Sequence, residues 1–306
     1  MPPTVSVVLP TYNRAGLLPA AIDALLRQDA PAGTFELIVV DNNSSDETPS
    51  LLAARQDPRL RVIRETRHGL SHARNAGIAA AAAEIVAFTD DDVEATPGWV
   101  TSIATALDAR PEVDGVGGRV LPAWQGAPPE WLTHDHWAPL ALQDHGETMR
   151  VFDAALPIGM VGANVAFRRS VFRRVGVFAE HVQRVKDGIG STEDHEFLSR
   201  LYASGGRMLY TPELIVKARV QADRCDRGYH RRWHEGHGRF SALMQLPEVE
   251  RARMAPLGVP GHLLRAAAAD AAAWVRSIVL ADWEAAFLAE LRLRFFKGFV
   301  RARVAG

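Results

Sequence analysis

Between Thr4 and Thr89 the chain alternates short β-branched runs with stretches of helical spacing, and this alternation restricts the possible fold more than any other feature. "TVSVVLP" (Thr4–Pro10) reads as a strand stopped by proline, and Leu17–Arg27 follows with apolar residues at helical intervals. "FELIVVD" (Phe35–Asp41) is a second strand, after which "NNSSDET" turns the chain into a helix starting near Thr48. "RLRVIRE" (Arg59–Glu65), the alanine-rich Leu70–Ala83 and "EIVAFT" (Glu84–Thr89) supply a third strand, a third helix and a fourth strand. Strands joined through helices at this spacing pair in parallel, so the fold class is α/β: a doubly wound, mostly parallel sheet with helices on both faces. Ligands of such sheets bind at the carboxyl ends of the strands. Three strands end there in polar residues: Pro10-Thr11-Tyr12-Asn13, Asp41-Asn42-Asn43 and Asp90-Asp91-Asp92. They are expected to converge on one crevice.

After Leu121 the pattern changes. Pro122 to Pro157 is irregular and carries Trp124, Trp131 and Trp137, as a surface excursion over the sheet edge would. "MVGANVAFRRSVFRRVG" restores a strand and a helix, and the second half of "DGIGSTEDHEFLSRLYASG" is amphipathic. From Val216 the composition turns basic and helical. The expected division is therefore a domain over residues 1–215, with halves at about 1–121 and 122–215, and a helical extension over 216–306.

Composition narrows the partners. A net charge of −1 provides no global field to gather nucleic acid. The single cysteine, Cys225, allows no internal disulfide and suits a reducing compartment. Val5–Leu9 is too short for an export signal, and the longest apolar stretch, after Leu263, is cut by Arg265, Asp270, Arg276 and Asp282. A cytoplasmic protein is the expectation, with the oligomeric state left open.

Three adjacent aspartates repel one another, most strongly where water is scarce. One can cap a helix beginning near Pro97, but a cap needs one acid, not three. A hard divalent cation, Mg²⁺ or Mn²⁺, relieves the repulsion and reaches a substrate phosphate as well. Asp-x-Asp after an apolar strand occurs in phosphatases of the haloacid-dehalogenase type, where it opens the first strand, and in nucleotide-sugar glycosyltransferases. Here three strand–helix units precede it.

"VSVVLPTYNRAGLL", "ELIVVDNNSSDET", "GLSHARNAG", "AFTDDDV", "VGANVAFRR" and "STEDHEFLSRL" follow in this order over residues 4 to 205. Together they closely resemble family 2 inverting glycosyltransferases of the GT-A fold. The resemblance implies that Pro10, Thr11, Tyr12, Asn13, Arg14, Asp41 and Asn43 surround the nucleotide, with Asp41 on its base. Asp90 would lie near the ribose, Asp91 would also bind the nucleotide, and Asp92, with Asp90, would hold Mn²⁺ or Mg²⁺ against the diphosphate. Asp194 would be the catalytic base and Glu193 its support. UDP is the commonest leaving group of that family, and a glycan or lipid-linked hydroxyl the acceptor. The chemistry is coherent on its own terms: inverting transfer needs one base for the acceptor's proton and positive charge for the departing diphosphate. The other reading of Asp194 is a helix cap within "STED". The alternatives in function are a metal-dependent phosphatase and an inactive sugar-nucleotide or glycan-binding module.

Other residues carry two readings each. Arg74, in a helix before the fourth strand, binds a phosphate or the triplet, or forms a structural ion pair. Gly162 and Asn164 would face the sugar. Trp131 and Trp137 either stack on an acceptor sugar or pin their loop. "GVGGRV" (Gly115–Val120) lacks the context of a dinucleotide fingerprint. His230, His234 and His237 share a helix face and suggest a metal, but the spacing is wrong for H-E-x-x-H, and a basic surface is the alternative. Relatives often place a metal-ligating His where "VKARV" has Arg219; either Arg219 neutralises the diphosphate or a later histidine substitutes. The end, "LRLRFFKGFVRARVAG", interleaves Arg292, Arg294, Lys297, Arg301 and Arg303 with Phe295, Phe296 and Phe299. It either meets an anionic membrane peripherally or packs inward.

Overall fold

A computed structural model describes residues 3–185, 188–190, 193–250 and 258–305 of the chain. The chain divides into two compact units: residues 1–125, 141–186 and 193–220 form the first, and residues 126–140, 187–192 and 221–306 the second.

The first unit is built on one sheet. Strand β1 (Val5–Thr11), helix α1 (Leu18–Leu26), β2 (Phe35–Asp41), α2 (Thr48–Ala53), β3 (Leu60–Arg64), α3 (Leu70–Ala80) and β4 (Ile85–Phe88) follow the alternation of the sequence. β1 lies between β2 and β4, and β3 pairs with β2, all in parallel. Every residue of β1 is buried, as a central parallel strand covered on both faces requires. Val8, Ile38, Val40, Val86 and Phe88 turn to one face, against Phe167, Phe172, Phe178 and Phe197. Helix α3 comes so close that a Cβ on Gly77 would lie 2.3 Å from Val8 Cγ1. Edge strand β3 carries exposed Arg61 and Arg64, which discourage further pairing.

Beyond β4 the sheet departs from simple parallel winding. Strand β5 (Val93–Ala95), α4 (Trp99–Ala109), β6 (Gly115–Trp124), β7 (Arg150–Phe152), β8 (Val165–Arg168), α5 (Arg169–Val175), α6 (Glu193–Ala203) and β9 (Met208–Val220) complete the unit. The strand order is β3-β2-β1-β4-β8-β6-β9-β5, with β7 also on β9. β8 runs antiparallel to both its neighbours, so the sheet is mixed. "GVGGRV" is the start of β6. Its glycines serve close packing: a Cβ on Gly118 would fall 2.0 Å from Leu214 O, where the β6–β9 register shifts.

Two expected boundaries move. β6 continues through Trp124, inside the stretch read as irregular, and β9 runs to Val220, past the expected start of helical structure at Val216. Ser191 and Thr192 of "STED", on which the capping reading of that segment rests, lie outside the described residues.

The second unit is helical: α7 (Arg227–Met244), α8 (Pro247–Glu250), α9 (Gly261–Val279) and α10 (Trp283–Ala305). Helix α10 packs on both α7 and α9. Two glycines set the crossing with α7. A Cβ on Gly238 would lie 1.9 Å from Phe295 O, and one on Gly298 1.9 Å from Glu235 O. Gly238 of "HEGHGR", with Gly298 of α10, thus brings the two helix backbones together. Phe295, Phe296 and Phe299 pack with Ala242, Val259 and Leu263. Arg294 and Lys297 pair with Glu235, Arg301 does the same, Arg292 pairs with Asp270, and Arg303 with Glu250. The basic, aromatic end of the chain therefore packs on α7 and α9, with Phe299 fully buried and Phe295 and Phe296 half-buried.

Candidate active site

The carboxyl ends of β1, β2 and β4 lie side by side because these strands are parallel neighbours. Thr11 Oγ1 donates to Asp91 Oδ2 at 2.7 Å, and Arg14 Nε stands 3.8 Å from Asp91 Oδ1. Asn13 and Asn43 adopt left-handed backbone conformations (φ 52° and 63°), which asparagine tolerates better than most residues. This lets the two strand-end loops lock together. Asn13 N–H donates to Ser44 Oγ (3.0 Å), Ser45 N–H donates to Asn13 Oδ1 (2.8 Å), and Ser44 N–H donates to Asp41 Oδ1 (2.9 Å). The segment from Pro10 to Arg14, Asp41, Asn43 and Asp91 thus form one lip.

Sequence reasoning missed a third loop of this lip, residues 65–69. Buried Asn42 donates to Glu65 O and Arg67 O and accepts from Gly69 N–H at 2.7 Å. His68 is delivered against Tyr12, rings edge to face at 5.3 Å, with its Nε2 3.3 Å from Asn43 Nδ2. Arg64 donates to Asn43 Oδ1, so Asn43 Nδ2 is the donor to His68 Nε2. The signal was present as "RHG" before a helix, but a lone histidine carries no period.

The second acidic cluster arrives from far along the chain. Glu193 and Asp194 open α6, and Asp194 Oδ2 accepts from Gly162 N–H at 3.0 Å while Oδ1 accepts from His195 N–H at 2.8 Å. Arg74 joins the clusters: its Nη1 is 2.6 Å from Glu193 Oε1 and its Nη2 3.5 Å from Asp90 Oδ1. With a side chain 2% exposed and stacked over Phe178, Arg74 is an internal charge rather than a phosphate ligand. Gly162 is needed for it, since a Cβ there would lie 2.5 Å from Arg74 Nη2.

The electrostatics follow from burial. Burial raises the Asp91 carboxyl to about 7, with repulsion from Asp92 adding to it and Arg14 opposing. Burial also raises Asp90, against Arg74. Asp194 is raised by burial first and by the Glu193 charge second, with Arg74 pulling the other way. Glu193 Oε2 is buried with no hydrogen-bond partner among the described residues. Three arginines, Arg74, Arg184 and Arg14, thus face a surplus of acid. No group of three or more His, Cys, Asp or Glu side chains is set to hold a metal by itself among the described residues. The donor set nevertheless fits a hard cation that takes one or two carboxylates and completes its shell with substrate oxygens.

Several expected site residues have their side chains engaged by protein neighbours. The Asn164 amide is engaged internally and fully buried: Oδ1 accepts from Trp99 Nε1, and Nδ2 donates to Arg119 O and Leu214 O, so the side chain is not presented to a sugar hydroxyl. Arg219 is held by Glu94, through Nε at 2.8 Å and Nη2 at 2.7 Å, while its backbone N–H donates to Asp92 O. Trp131, Trp137, His230, His234 and His237 belong to the second unit. Trp131 packs edge-on against His136, His230 and Phe287, and Trp137 lies against His134. His230 donates through Nε2 to Arg224 O, and His237 stacks on Trp233. Burial lowers His230 and His234 to about 4, so both are neutral packing residues rather than a basic surface.

Comparison with known proteins shows the family. Residues 6–176 match the model of "Glycosyl transferase family 2". The chain is 26% identical over 225 residues to a glucosyl-dolichyl phosphate glucuronosyltransferase of Haloferax volcanii, covering 71% of this chain and 69% of that protein. It is 31% identical over 220 residues to the succinoglycan biosynthesis protein ExoO of Rhizobium meliloti, covering 69% of this chain and 59% of the relative. Among solved structures, S. aureus TarS 1–349 in complex with UDP-GlcNAc superposes with a TM-score of 0.59 at 18% identity, over 82% of this chain and 68% of that one. That likeness is one of fold. With the family's model matched over more than half of its length, the chain belongs to glycosyl transferase family 2, whose typical mechanism is inverting and whose members generally use a divalent metal.

Proposed function

We propose that the sheet unit transfers a sugar, with inversion, from a nucleotide-diphospho-sugar, UDP-linked by preference, to a hydroxyl of a glycan or lipid-linked acceptor. The observation that carries this reading is Arg74, which ties the strand-end triplet to the Glu193–Asp194 pair and so gathers both acidic clusters in one place. The names of two relatives support the acceptor class, one a glucosyl-dolichyl phosphate glucuronosyltransferase and one a "GalNAc(5)-diNAcBac-PP-undecaprenol beta-1,3-glucosyltransferase" of Campylobacter jejuni.

Asp194 takes the acceptor proton. Its raised pKa makes it a stronger base than an ordinary carboxylate, and the N–H groups of Gly162 and His195 hold both oxygens in place. Glu193, fixed by Arg74, keeps the first turn of α6 in register. Asp92, with Asp90, holds Mn²⁺ or Mg²⁺, which when bound supplies positive charge for the diphosphate leaving group. The loops of Asn13, Asp41, Asn43 and His68 enclose the nucleoside.

The deciding experiment measures UDP binding and nucleotide release from a panel of UDP-sugars. Asp194→Asn, similar in shape but unable to take a proton, should bind UDP as the parent does and lose turnover by roughly 10²–10⁴-fold. Equal loss of UDP affinity would make Asp194 structural. Phosphate release from simple phosphoesters would favour a phosphatase instead.

A further inference from the structure

Helix α3 holds the chain segment 178–184 against its first two turns. Phe178 N–H donates to Asn75 Oδ1 (3.0 Å), Asn75 Nδ2 donates to Phe178 O (2.9 Å), and Ser71 Oγ donates to Ala179 O (2.9 Å). Nearer the helix start, His72 N–H donates to Gln183 Oε1 (3.2 Å) and Leu70 N–H to Arg184 O (3.0 Å). The seam needs Gly69, because a Cβ there would fall 2.0 Å from Gln183 Oε1. Val182 and Gln183 are buried, and at Arg184 the segment becomes exposed.

These contacts fix where the Arg184 charge stands. Helix α3 begins at the carboxyl edge of the sheet, because β3 ends there and leads into it. Leu70 and Arg74 lie one turn apart on α3, about 5.4 Å along its axis, and Arg74 Nη2 is 3.5 Å from Asp90 Oδ1. Arg184, docked on Leu70, is therefore one turn farther out than Arg74, beside the strand ends, where Gly69 N–H also reaches Asn42 Oδ1. Its charge is felt at Asp90, which burial raises and which Arg74 and then Arg184 pull down. The three arginines facing the acids differ in what each has left to bind. Arg74 is 2% exposed and held by Glu193, and Arg14 stands beside Asp91. Arg184 is exposed, and its guanidinium makes no hydrogen bond or ion pair with a described residue. The start of α3 does not serve as an anion site in its place, since the Gly69, Leu70 and His72 N–H groups are all engaged.

We propose that Arg184 is a phosphate-binding residue of this site, its guanidinium gripping the diphosphate of the donor through a forked pair of hydrogen bonds. Arginine suits the task because its charge is permanent and its planar donors match two phosphate oxygens. An exposed position at the rim lets it meet the diphosphate as the donor enters, whereas Arg74 is locked inside. The inference rests on the sugar-nucleotide reading of the site. In the transfer, the bond from the anomeric carbon to the diphosphate oxygen breaks, and its electron pair goes to that oxygen. The acceptor oxygen bonds to the carbon from the opposite side, and its proton goes to Asp194. Negative charge therefore grows on the diphosphate, and Arg184 stabilises it there.

The test is calorimetry of the full chain with UDP, inorganic pyrophosphate and uridine, each with Mg²⁺ present, beside steady-state turnover of UDP-sugars. Arg184→Gln should weaken UDP and pyrophosphate by roughly tenfold or more, the usual loss for a hydrogen bond to a charged group, and leave uridine unchanged. Its kcat should fall as well, because the lost contact strengthens as the diphosphate leaves. Arg184→Lys keeps the charge without the fork and should recover part of the affinity. Arg173→Gln, at an exposed position of α5, controls for the loss of one positive charge and should change neither affinity. An unchanged melting temperature without ligand will show that each exposed substitution leaves the fold intact. Unchanged UDP affinity in Arg184→Gln, with a parent that binds UDP, would overturn the inference and leave the sugar-nucleotide reading standing. An equal loss for uridine would overturn it too, since Arg184 would then hold the lip rather than the phosphates. Arg184-dependent binding of UDP and pyrophosphate, with no turnover of any UDP-sugar, would support the inference and count against transfer. A parent that binds neither UDP nor pyrophosphate would overturn both.

Discussion

At the scale of single residues, Arg74 is the least replaceable charge in the sheet unit. A buried guanidinium between Glu193 and Asp90 offsets two acids that would otherwise repel in a dry setting. Arg74→Met leaves buried Glu193 without its cation and Asp90 with Arg184 alone, and should cost on the order of 3–5 kcal/mol in denaturant unfolding, the usual penalty for breaking a buried pair. A structural role alone would stop there. Because Arg74 also holds the Asp194 pKa down, its loss should move the acid limb of the turnover profile to higher pH. Arg74→Lys keeps one charge but not the two-pronged reach, so it should restore most of the profile and only part of the stability. An acid limb that stays in place in Arg74→Met would separate Arg74 from the base.

At the scale of elements, the α7–α10 crossing depends on two glycines, each pressed against the other helix's backbone. Backbone cannot step aside as a flexible side chain can, so Gly298→Ala should destabilise the second unit by roughly 1–3 kcal/mol through overpacking. Urea unfolding followed by tryptophan fluorescence checks this, and an unchanged midpoint would mean that the helices re-space freely. Helix α7 also carries a pH dependence. His230 is neutral in the fold with a pKa of about 4, against about 6.5 in an unfolded chain. Between these values the unfolded state binds a proton that the folded state refuses. The contribution is therefore complete above about pH 6.5 and is lost as pH falls toward 4, by on the order of 3 kcal/mol. The difference in stability between His230→Gln and the parent should shrink across this range. A constant difference would show that His230 titrates normally. Sequence spacing had set His230, His234 and His237 on one helical face correctly. Their neighbours, Trp131 and Trp233 among them, make that face an interior.

At the scale of the whole molecule, ligand binding and chain stability should be linked through the triplet. UDP and Mn²⁺ together, at a hundredfold excess over their dissociation constant, should stabilise the native state by about 2.7 kcal/mol, read as a rise in melting temperature. Asp92→Ala should remove the Mn²⁺-dependent part of that rise and leave the melting temperature of the unliganded protein nearly unchanged. A full Mn²⁺ response in Asp92→Ala would reject the assignment of the metal to Asp92. The sequence alone determined the α/β class, the first four strands and the meeting of three strand ends, because periodicity and strand-end chemistry are local properties. The antiparallel β8 between β4 and β6, the burial of Arg74, the internal use of the Asn164 amide and the inward turn of the last helix were decided only by tertiary structure. Each depends on partners far away in the chain, such as Glu193 lying 119 residues beyond Arg74, and no pattern within a short window of sequence records such a pairing.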